Sequence, residues 1–354
     1  MKRTVLITGG AGFIGSNLCR FWKNQYPEDR LVVLDKLTYA GNPANLEPFG
    51  LKKSPKNQRL SYADELFRFE QCDITNIDDV DKVFQTEVID IVFHLAAESH
   101  VDRSIEDPSI FIDTNVKGTF VMLEACMKTA HKHKVRSTEG ERKPRFIHIS
   151  TDEVFGSLSP EDPPFTESSP YRPNSPYSAS KAASDHLVRS YNKTFGLCCS
   201  ITNCSNNYGP FQYPEKLIPL MIHNITNKIP LPVYGDGKNV RDWINVEDHC
   251  RALAKVALEG GSGETFNIGG GEEKRNIDIV RKLCDLVDIM LNRPNGESRK
   301  LIQFVKDRAG HDRRYAVDSN KIKKKLGWEP KTTFDKGLQD TVKWYLKEEF
   351  KENR

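Results

Sequence analysis

The sequence lacks a long apolar run. No stretch approaches the ~20 consecutive apolar residues that a transmembrane helix requires. The chain opens with a basic pair and the apolar residues Val5, Leu6 and Ile7, an order that signal peptides share, but this run ends at Gly9. We therefore expect no membrane span and no secretory signal, and we predict a cytoplasmic protein.

Paired cysteines and a strong charge of one sign are also missing. The eight cysteines form no CxxC pair and no Cys/His ligand spacing, so we predict no metal site and reduced, mostly buried thiols. The net charge is only +3, from 52 basic and 49 acidic residues. Neither nucleic acid nor a membrane surface is therefore an expected partner, and an anionic ligand must be bound by local positive groups.

Short apolar runs alternate with helical patterns through the first half of the 354-residue chain. The predicted strands cover residues 4–8, 31–35, 67–73, 90–96, 145–150 and 199–203. The predicted helices cover residues 13–23, 76–84, 109–130 and 176–195. This alternation predicts an α/β fold, a Rossmann-type doubly wound parallel sheet with helices on both faces.

The second half is more often interrupted by proline and glycine, which is typical of a smaller region that closes over a ligand. We predict two domains. Residues 1–205 form a dinucleotide-binding domain that includes the helix 176–195, and residues 206–354 form mainly a substrate-binding region. Residues 48–65 and 131–144 are predicted to be surface insertions.

Three glycines, Gly9, Gly12 and Gly15, stand between the first strand and the first helix. Glycine at these positions allows a tight turn and lets the backbone approach a pyrophosphate at the helix N-terminus. Asp35 ends the second strand, where a carboxylate can accept hydrogen bonds from ribose hydroxyls and repels a 2′-phosphate. The pattern therefore predicts NAD rather than NADP as cofactor.

Tyr177 and Lys181 are four residues apart in a predicted helix, so their side chains share one face. An ordinary tyrosine has a pKa near ~10, and a base role at neutral pH requires a value about three units lower. A neighbouring ammonium and a positive nicotinamide ring can lower it. Asp152 and Glu153 follow the fifth strand at the end where open α/β sheets bind ligands.

Six segments together resemble the extended short-chain dehydrogenase/reductase family, and within it the dTDP-glucose 4,6-dehydratases. They are residues 8–16 (TGGAGFIGS), 95–104 (LAAESHVDRS), 150–156 (STDEVFG), 175–181 (SPYSASK), 202–210 (TNCSNNYGP) and 241–248 (RDWINVED). The resemblance runs from Val5 to about Tyr345. It departs from the family pattern at Phe155, at Ala309 and in a longer loop at 131–144.

The resemblance implies a lyase of deoxysugar biosynthesis, which includes rhamnose synthesis. Tyr177 would take the C4 hydroxyl proton of the hexose while hydride passes to NAD. Glu153 would then remove the C5 proton, Asp152 would protonate the departing C6 hydroxyl, and hydride would return to C6. Oxidation at C4 makes this elimination accessible, and two adjacent carboxyl groups can divide the acid and base roles.

The resemblance also implies the site residues. The catalytic set is Thr151, Asp152, Glu153, Tyr177 and Lys181. The cofactor set is Gly9, Gly12, Phe13, Ile14, Gly15, Asp35, Lys36, Thr38, Asp73, Ile74, Leu95, Ala96, Ala97, Ser99, Thr114, Tyr177 and Lys181. The substrate set is Ser99, Thr151, Asn206, Lys216, Leu217, Pro232, Tyr234, Arg241, Asn276, Arg308 and His311.

The family implies a homodimer, for which the helices 109–130 and 176–195 can supply a four-helix interface. Three alternative functions stay open. A nucleotide-sugar 4-epimerase and a dehydratase for another nucleotide share the glycine run and the Tyr/Lys pair, although an epimerase needs no acid and base at C5 and C6. A regulator that binds NAD without turnover is the alternative from a different class.

Overall fold

The computed structural model describes residues 2–51, 59–133 and 144–352. The strands in these ranges are β1 (Thr4–Thr8), β2 (Arg30–Asp35), β3 (Ser61–Ala63), β4 (Phe67–Gln71), β5 (Ile91–His94), β6 (Arg145–Thr151), β7 (Cys199–Cys204), β8 (Asn206–Tyr208), β9 (Leu231–Tyr234), β10 (Val240–Asn245), β11 (Thr265–Ile268), β12 (Glu273–Arg275) and β13 (Ile302–Val305).

The helices are α1 (Phe13–Gln25), α2 (Ile77–Thr86), α3 (Val101–Glu106), α4 (Ser109–Phe111), α5 (Gly118–His133), α6 (Pro176–Phe195), α7 (Leu217–Thr226), α8 (Val246–Glu259), α9 (Asn276–Met290), α10 (Asn320–Leu326) and α11 (Phe334–Glu352). A π-helical segment, Ile112–Lys117, joins α4 to α5. None of the helices in the described ranges has the length and hydropathy to cross a bilayer.

Eight strands form one sheet in the order β11, β7, β6, β5, β1, β2, β4, β3. Neighbouring strands are parallel except at the edge, where β3 runs antiparallel to β4. From the central strand β1 the chain first builds one half of the sheet with β2, β3 and β4. It then crosses back and builds the other half with β5, β6, β7 and β11. Ligands bind at such a switch point in open α/β sheets, and the predicted α/β fold class is confirmed.

Both faces of this sheet are buried, which explains why its strands are continuous apolar runs. On one face, Ile7 of β1 packs in a core with Trp22 of α1 and Leu253 of α8. On the other face, Leu6 packs in a core with Val80 of α2 and Met122 of α5. The alternating side chains of β1 therefore anchor two helix layers, and the end of β1 is held firmly at the centre of the sheet.

The second half of the chain builds a separate core. Strands β8, β10 and β12 form one small sheet and β9 and β13 another. Helices α7, α9 and α11 pack around them, with Ile222, Leu283 and Leu338 fully buried. Strand β11 and helix α8 lie in the large sheet and its helix layer although they follow residue 205 in sequence. The division at residue 205 stays a prediction.

The structure adds detail to two sequence predictions. The predicted insertion 48–65 contains β3, which extends the large sheet because Tyr62 pairs with Phe69; residues 52–58 of it lie outside the described ranges, as do residues 134–143 of the other insertion. The predicted helix 109–130 is interrupted by the π segment. There the Asn115 side chain accepts a hydrogen bond from Glu98 N (2.8 Å) and donates one to Glu98 O (3.1 Å).

Candidate active site

A cavity of about 330 Å³ lies at the carboxyl ends of the central parallel strands. Every residue predicted for the cofactor and every residue predicted for catalysis lines it. Strand ends β1, β2, β4, β5 and β6 contribute these residues, and the face of α6 that carries Tyr177 and Lys181 closes one side. The roles of the residues remain predictions, but the structure brings them together in one place.

The turn between β1 and α1 leaves no room for side chains. Gly9 has a φ of +69°, and a Cβ on it would lie 2.9 Å from the backbone nitrogen of Ala96. A Cβ on Gly15 would lie 2.2 Å from the carbonyl oxygen of Gly9. Helix α1 begins after Gly12 with no side-chain cap and no acidic residue in its first turn. Its free N–H groups therefore suit a phosphate.

Asp35 is nearly buried at the end of β2. Its carboxylate accepts hydrogen bonds from Ala11 N (2.9 Å) and Leu37 N (2.8 Å). Burial raises the pKa of Asp35, while these backbone donors act in the opposite direction. Each oxygen retains lone-pair capacity for a further donor such as a ribose hydroxyl. Next to it, Lys36 forms an ion pair with Asp73 across the strand ends, at 2.7 Å.

The end of β5 is tied to β1 through one hydroxyl. Thr8 Oγ1 accepts hydrogen bonds from Leu95 N and Ala96 N, both at 3.1 Å. The same hydroxyl is 2.9 Å from His94 Nδ1. The backbone of residues 95–97 is thereby fixed along the cavity wall, close to Gly9.

The helix that carries Tyr177 and Lys181 has the bounds that the sequence predicts. Ser175 caps it through a reciprocal capping box with Ser178, which fixes where the first turn starts. Lys181 is buried and its Nζ donates to Ile149 O at 2.8 Å. Burial lowers the pKa of Lys181 to about 8, so the side chain is mostly a cation at neutral pH.

Burial raises the pKa of Tyr177 well above its ordinary value. The carboxyl group of Glu153 and the thiol of Cys204 raise it further, and the Thr151 hydroxyl opposes them. The protein groups alone therefore act against the lowered pKa that a base role requires. A cation in the cavity, such as Lys181 or a positively charged ligand ring, is what can lower it.

Asp152 and Glu153 differ in their electrostatic surroundings. Burial raises the pKa of Asp152 well above its ordinary value, and the charges of Glu153 and Asp242 add to this effect. Its Oδ1 accepts a hydrogen bond from Thr151 Oγ1 (3.3 Å), and its Oδ2 has no hydrogen-bond partner among the described residues. Of the two carboxyl groups, Asp152 is therefore the one whose surroundings favour the protonated form.

Burial also raises the pKa of Glu153, but three cations oppose it. They are, in order of effect, Arg241, Arg308 and Lys216. Neighbouring positive charge favours the ionised carboxylate. The surroundings of the two adjacent carboxyl groups thus favour a protonated Asp152 and an ionised Glu153, which are the forms that an acid and a base require.

The predicted substrate residues fall into two groups. Ser99, Thr151, Asn206 and Lys216 line the cavity, and Lys216 Nζ donates to Ser99 O at 3.0 Å. The remaining seven belong to the second half of the chain and do not line this cavity: Leu217, Pro232, Tyr234, Arg241, Asn276, Arg308 and His311.

Three of these seven contact one another. The Arg308 guanidinium lies over the ring of Tyr234, 5.4 Å from its centroid, and its Nη2 is 3.3 Å from His311 Nε2. His311 Nδ1 is 2.6 Å from Asp307 Oδ1, yet burial and the charge of Arg308 lower the pKa of His311. The cluster presents a cation beside an aromatic ring.

Arg241 is buried close to this cluster. It donates to Asp312 O at 2.9 Å, and its guanidinium lies 4.1 Å from the centroid of the Tyr315 ring. Asn239 donates to the same carbonyl at 3.1 Å, and Asn239 O accepts from Asn276 N at 3.0 Å. Leu217 begins α7 and packs on the C-terminal core, while Pro232 pairs with Gln303 in the small sheet.

Sequence reasoning missed several residues that line the cavity, including Tyr39, Glu98, Cys204 and Glu215. The Arg103 guanidinium lies over the ring of Tyr39 at 3.6 Å and is 3.4 Å from Glu215. Glu98 and Cys204 stand inside segments quoted for the resemblance, so their position was a usable signal. Tyr39 and Glu215 meet only through the tertiary fold.

Comparison with known proteins places the chain among dehydratases. The family model described as GDP-mannose 4,6 dehydratase matches residues 6–341. A dTDP-glucose 4,6-dehydratase of Neisseria meningitidis serogroup B is 53% identical over 347 residues, which are 97% of this chain and 93% of that protein.

Two crystal structures have the same fold over nearly the whole chain. DesIV, the dTDP-glucose 4,6-dehydratase from Streptomyces venezuelae with NAD and TYD bound, has a TM-score of 0.84 and 43% identity, with 97% of both chains covered. The dTDP-glucose 4,6-dehydratase from Bacillus anthracis in complex with NAD has a TM-score of 0.82 and 40% identity, with 98% of both chains covered. The chain therefore belongs to the nucleotide-sugar 4,6-dehydratase family of extended short-chain dehydrogenases.

Proposed function

We propose that the protein is an NAD-dependent hydro-lyase that converts dTDP-glucose to dTDP-4-keto-6-deoxyglucose and water. The observation that carries the proposal is the differentiated carboxyl pair, Asp152 and Glu153, in the same cavity as Tyr177 and Lys181. A redox pair alone fits many dehydrogenases. An acid and a base beside it fit a reaction that also removes water.

NAD is the proposed cofactor because the cavity fits a dinucleotide. The glycine turn leaves open space beside the uncapped N-terminus of α1, and Asp35 offers a carboxylate at the end of β2. The chemistry that bound NAD supplies is reversible hydride exchange, taken from C4 of the hexose and returned to C6. Asp35 would bind the ribose, and the backbone of residues 95–97 would line the dinucleotide.

Tyr177 would accept the C4 hydroxyl proton, assisted by Thr151 and Lys181. Thr151 Oγ1 also donates to Asp152 Oδ1, so one hydroxyl lies between the redox residue and the acid. Lys181 is held by Ile149 O and keeps positive charge in the cavity at neutral pH. Together these groups would orient C4 and its oxygen.

Glu153 would remove the C5 proton and Asp152 would protonate the leaving C6 hydroxyl. The ketone at C4 makes the C5 hydrogen acidic and places the C6 hydroxyl β to a carbonyl. The raised pKa of Asp152 keeps a proton on the acid, and Arg241, Arg308 and Lys216 favour the ionised form of Glu153. The pair can therefore act in opposite directions at one pH.

The diphosphate would be bound by Asn206, Lys216 and Arg241, and the nucleoside by Asn276 and the cluster of Tyr234, Arg308 and His311. Arg241 and Lys216 supply positive charge in a chain that is nearly neutral overall. Arginine suits a diphosphate because its planar fork can engage two oxygens. Leu217 and Pro232 would pack beside the ligand.

We further propose that the enzyme is a cytoplasmic homodimer and that residues 1–205 and 206–354 divide cofactor and substrate binding. Exposed apolar side chains on α4 to α6 support the interface: Ile110, Ile112, Phe120 and Phe195. They lie on the helices that the sequence assigned to a four-helix contact. The molecular mass in solution, measured by light scattering, tests this assignment.

Product analysis tests the function against its alternatives. Purified protein is incubated separately with dTDP-glucose, UDP-glucose and GDP-mannose, and the products are identified by NMR and mass spectrometry. The proposal predicts a 4-keto-6-deoxy sugar, 18 mass units lighter than the substrate, formed fastest from dTDP-glucose. A C4 epimer of unchanged mass would show that the protein is a 4-epimerase. Faster dehydration of a UDP- or GDP-sugar would show that another nucleotide sugar is the substrate. NAD binding without turnover of any of these sugars would favour the regulatory function.

A further inference from the structure

A buried carboxylate that the proposed chemistry does not use lies beneath the active site. Asp185 is on α6, one helical turn after Lys181, and is fully buried. Three donors reach its Oδ2, namely the hydroxyls of Tyr171 (2.7 Å) and Ser150 (3.0 Å) and the amide of Asn203 (3.3 Å). Such a group is costly to bury, so its presence calls for a partner charge.

Two neighbouring groups act against the effect of burial on the pKa of Lys181, namely Asp185 and Cys204. Burial and the charge of Lys181 lower the pKa of His148 to about 4, although His148 Nε2 is 3.3 Å from Asp185 Oδ1. Burial lowers the pKa of His94 well below its ordinary value, so both histidines are neutral. The Cys204 thiol is neutral as well, because burial raises its pKa to about 12.

Asp185 itself remains ionised. Burial alone would raise its pKa, but the neighbouring His148 ring, the hydrogen bond from Tyr171 and the charge of Lys181 outweigh this effect. The Tyr171 hydroxyl in turn accepts a hydrogen bond from Arg189 Nη2 at 2.8 Å. Lys181 and Asp185 are therefore two buried groups of opposite charge, one helical turn apart on α6.

The same carboxylate also holds the strand that carries the reactive residues. Ser150, which donates to Asp185, immediately precedes Thr151 in β6. Asn203 donates both to Asp185 and to Thr151 O, at 3.3 and 3.2 Å. One carboxylate thereby joins α6, the end of β6 and the end of β7.

We propose that Asp185 is a positioning residue of the reaction, whose buried carboxylate is the counter-ion that keeps Lys181 protonated and fixes the end of β6 beside Tyr177. This inference rests on the proposed function for its kinetic consequence. It assigns Asp185 no contact with substrate or cofactor. Its effect on the chemistry passes through Lys181.

Asp185→Asn tests the charge, and Tyr171→Phe is the matched control because it removes one hydrogen bond to the same carboxylate oxygen and no charged group. Lys181 acts as a cation, so activity is lost as pH rises through its pKa. Without the anion the pKa of Lys181 falls. The alkaline limb of the kcat–pH profile should therefore move to lower pH by about one unit or more, which corresponds to a tenfold loss of protonated Lys181 above the limb. KM for dTDP-glucose should change little.

The ratio of wild-type to Asp185→Asn kcat should therefore shrink as pH falls from 9 to 6, while the ratio to Tyr171→Phe stays constant. A merely structural role would lower kcat by the same factor at every pH, and that result would overturn the proposal. An unmoved alkaline limb in folded Asp185→Asn would do the same.

If Asp185→Asn does not fold, a stability measurement still tests the proposal. This measurement needs no catalytic activity. Lys181→Met leaves the Asp185 anion without its counter-ion, so adding Asp185→Asn to it should leave the melting temperature unchanged or raise it. A clear further drop in the double variant would contradict the pairing. Wild-type protein that forms no dehydrated product would refute the proposed function instead, and this stability comparison would still stand.

Discussion

Asp152→Asn should stabilise the protein while it abolishes efficient turnover. Asp152 is only 1% exposed, its Oδ2 lacks a hydrogen-bond partner among the described residues, and burial raises its pKa well above the ordinary value. The ionised form is therefore disfavoured in the folded state. Asparagine has nearly the same shape and stays neutral at every pH, so the variant removes that penalty.

The pH dependence follows from the sign of this shift. An unfolded aspartate has a pKa near ~3.9, and the folded value is higher, so the folded protein binds the proton more tightly. The contribution of Asp152 to the stability of the wild-type protein is fully present below about pH 4. It is lost as the pH rises through the pKa of Asp152 in the folded protein. The advantage of Asp152→Asn should therefore be near zero at low pH and grow towards alkaline pH.

The magnitude can be set from the burial and the chain length. Burying a polar group without a partner costs about 1–3 kcal/mol and more when the group is charged; asparagine removes the charge but not the polarity, so we take about 1–3 kcal/mol as the gain. With about 2.1 cal/mol/K of unfolding entropy per residue, 354 residues correspond to a shift of about 1.3 °C per kcal/mol. We expect the melting temperature of Asp152→Asn to exceed that of wild type by about 1–4 °C near pH 8. Loss of the general acid should lower kcat by about 10²–10⁴.

Glu153→Gln is the matched control, because it removes the neighbouring carboxylate. Arg241, Arg308 and Lys216 oppose the effect of burial at Glu153, and the variant leaves these cations without a carboxylate. It should gain no stability and should lose some near neutral pH. Thermal unfolding of both variants, followed by circular dichroism from pH 4 to 9, provides the measurement. A stability difference for Asp152→Asn that is negative or independent of pH would refute the reasoning.

Three further predictions concern the cofactor, the substrate and the order of the steps. Gly15→Ala should abolish NAD binding in titrations, because the new Cβ would lie 2.2 Å from Gly9 O. Gly12→Ala should retain more affinity for NAD, because the nearest atom to its Cβ is 3.2 Å away. Equal affinities of the two variants would contradict this reasoning. Arg241→Ala should weaken dTDP binding by roughly 2–4 kcal/mol, because it removes a charge-assisted phosphate contact, and an unchanged dissociation constant in calorimetry would exclude that role. Tyr177→Phe should form neither NADH nor product, and Glu153→Gln should form bound NADH without solvent deuterium at C5. Rapid C5 exchange in Glu153→Gln would exclude Glu153 as the base.

The parts of the site that sequence predicted are those set by local structure. Tyr177 and Lys181 share a helix face because of their spacing, and the helix bounds follow from the Ser175 cap and from Gly196, which ends the helix with a φ of +65°. Gly9, Asp35 and Asp152 stand at strand ends, and a parallel sheet brings such ends to one edge. Local sequence patterns are therefore sufficient to group these residues.

The parts that sequence did not predict depend on residues far apart in the chain. The charge of Asp242 contributes to the raised pKa of Asp152. The charge of Arg308, which follows Glu153 by more than 150 residues, opposes the effect of burial on the pKa of Glu153. The π segment contains Asn115, which pairs with Glu98, and the partners of Asp185 lie on β6, on β7 and in the loop before α6. No local pattern marks such contacts, because each depends on the packing of the complete fold.

The fate of the C4 hydrogen is the most direct test of the central claim. Purified protein is incubated with dTDP-glucose deuterated at C4 in ordinary water, and with unlabelled dTDP-glucose in deuterated water, and the product is examined by NMR and mass spectrometry. We expect loss of one water, transfer of the C4 deuterium to C6 in the first experiment, and one solvent deuterium at C5 in the second. Deuterium retained at C4 in an epimer of unchanged mass, or a dehydrated product without solvent hydrogen at C5, would contradict it.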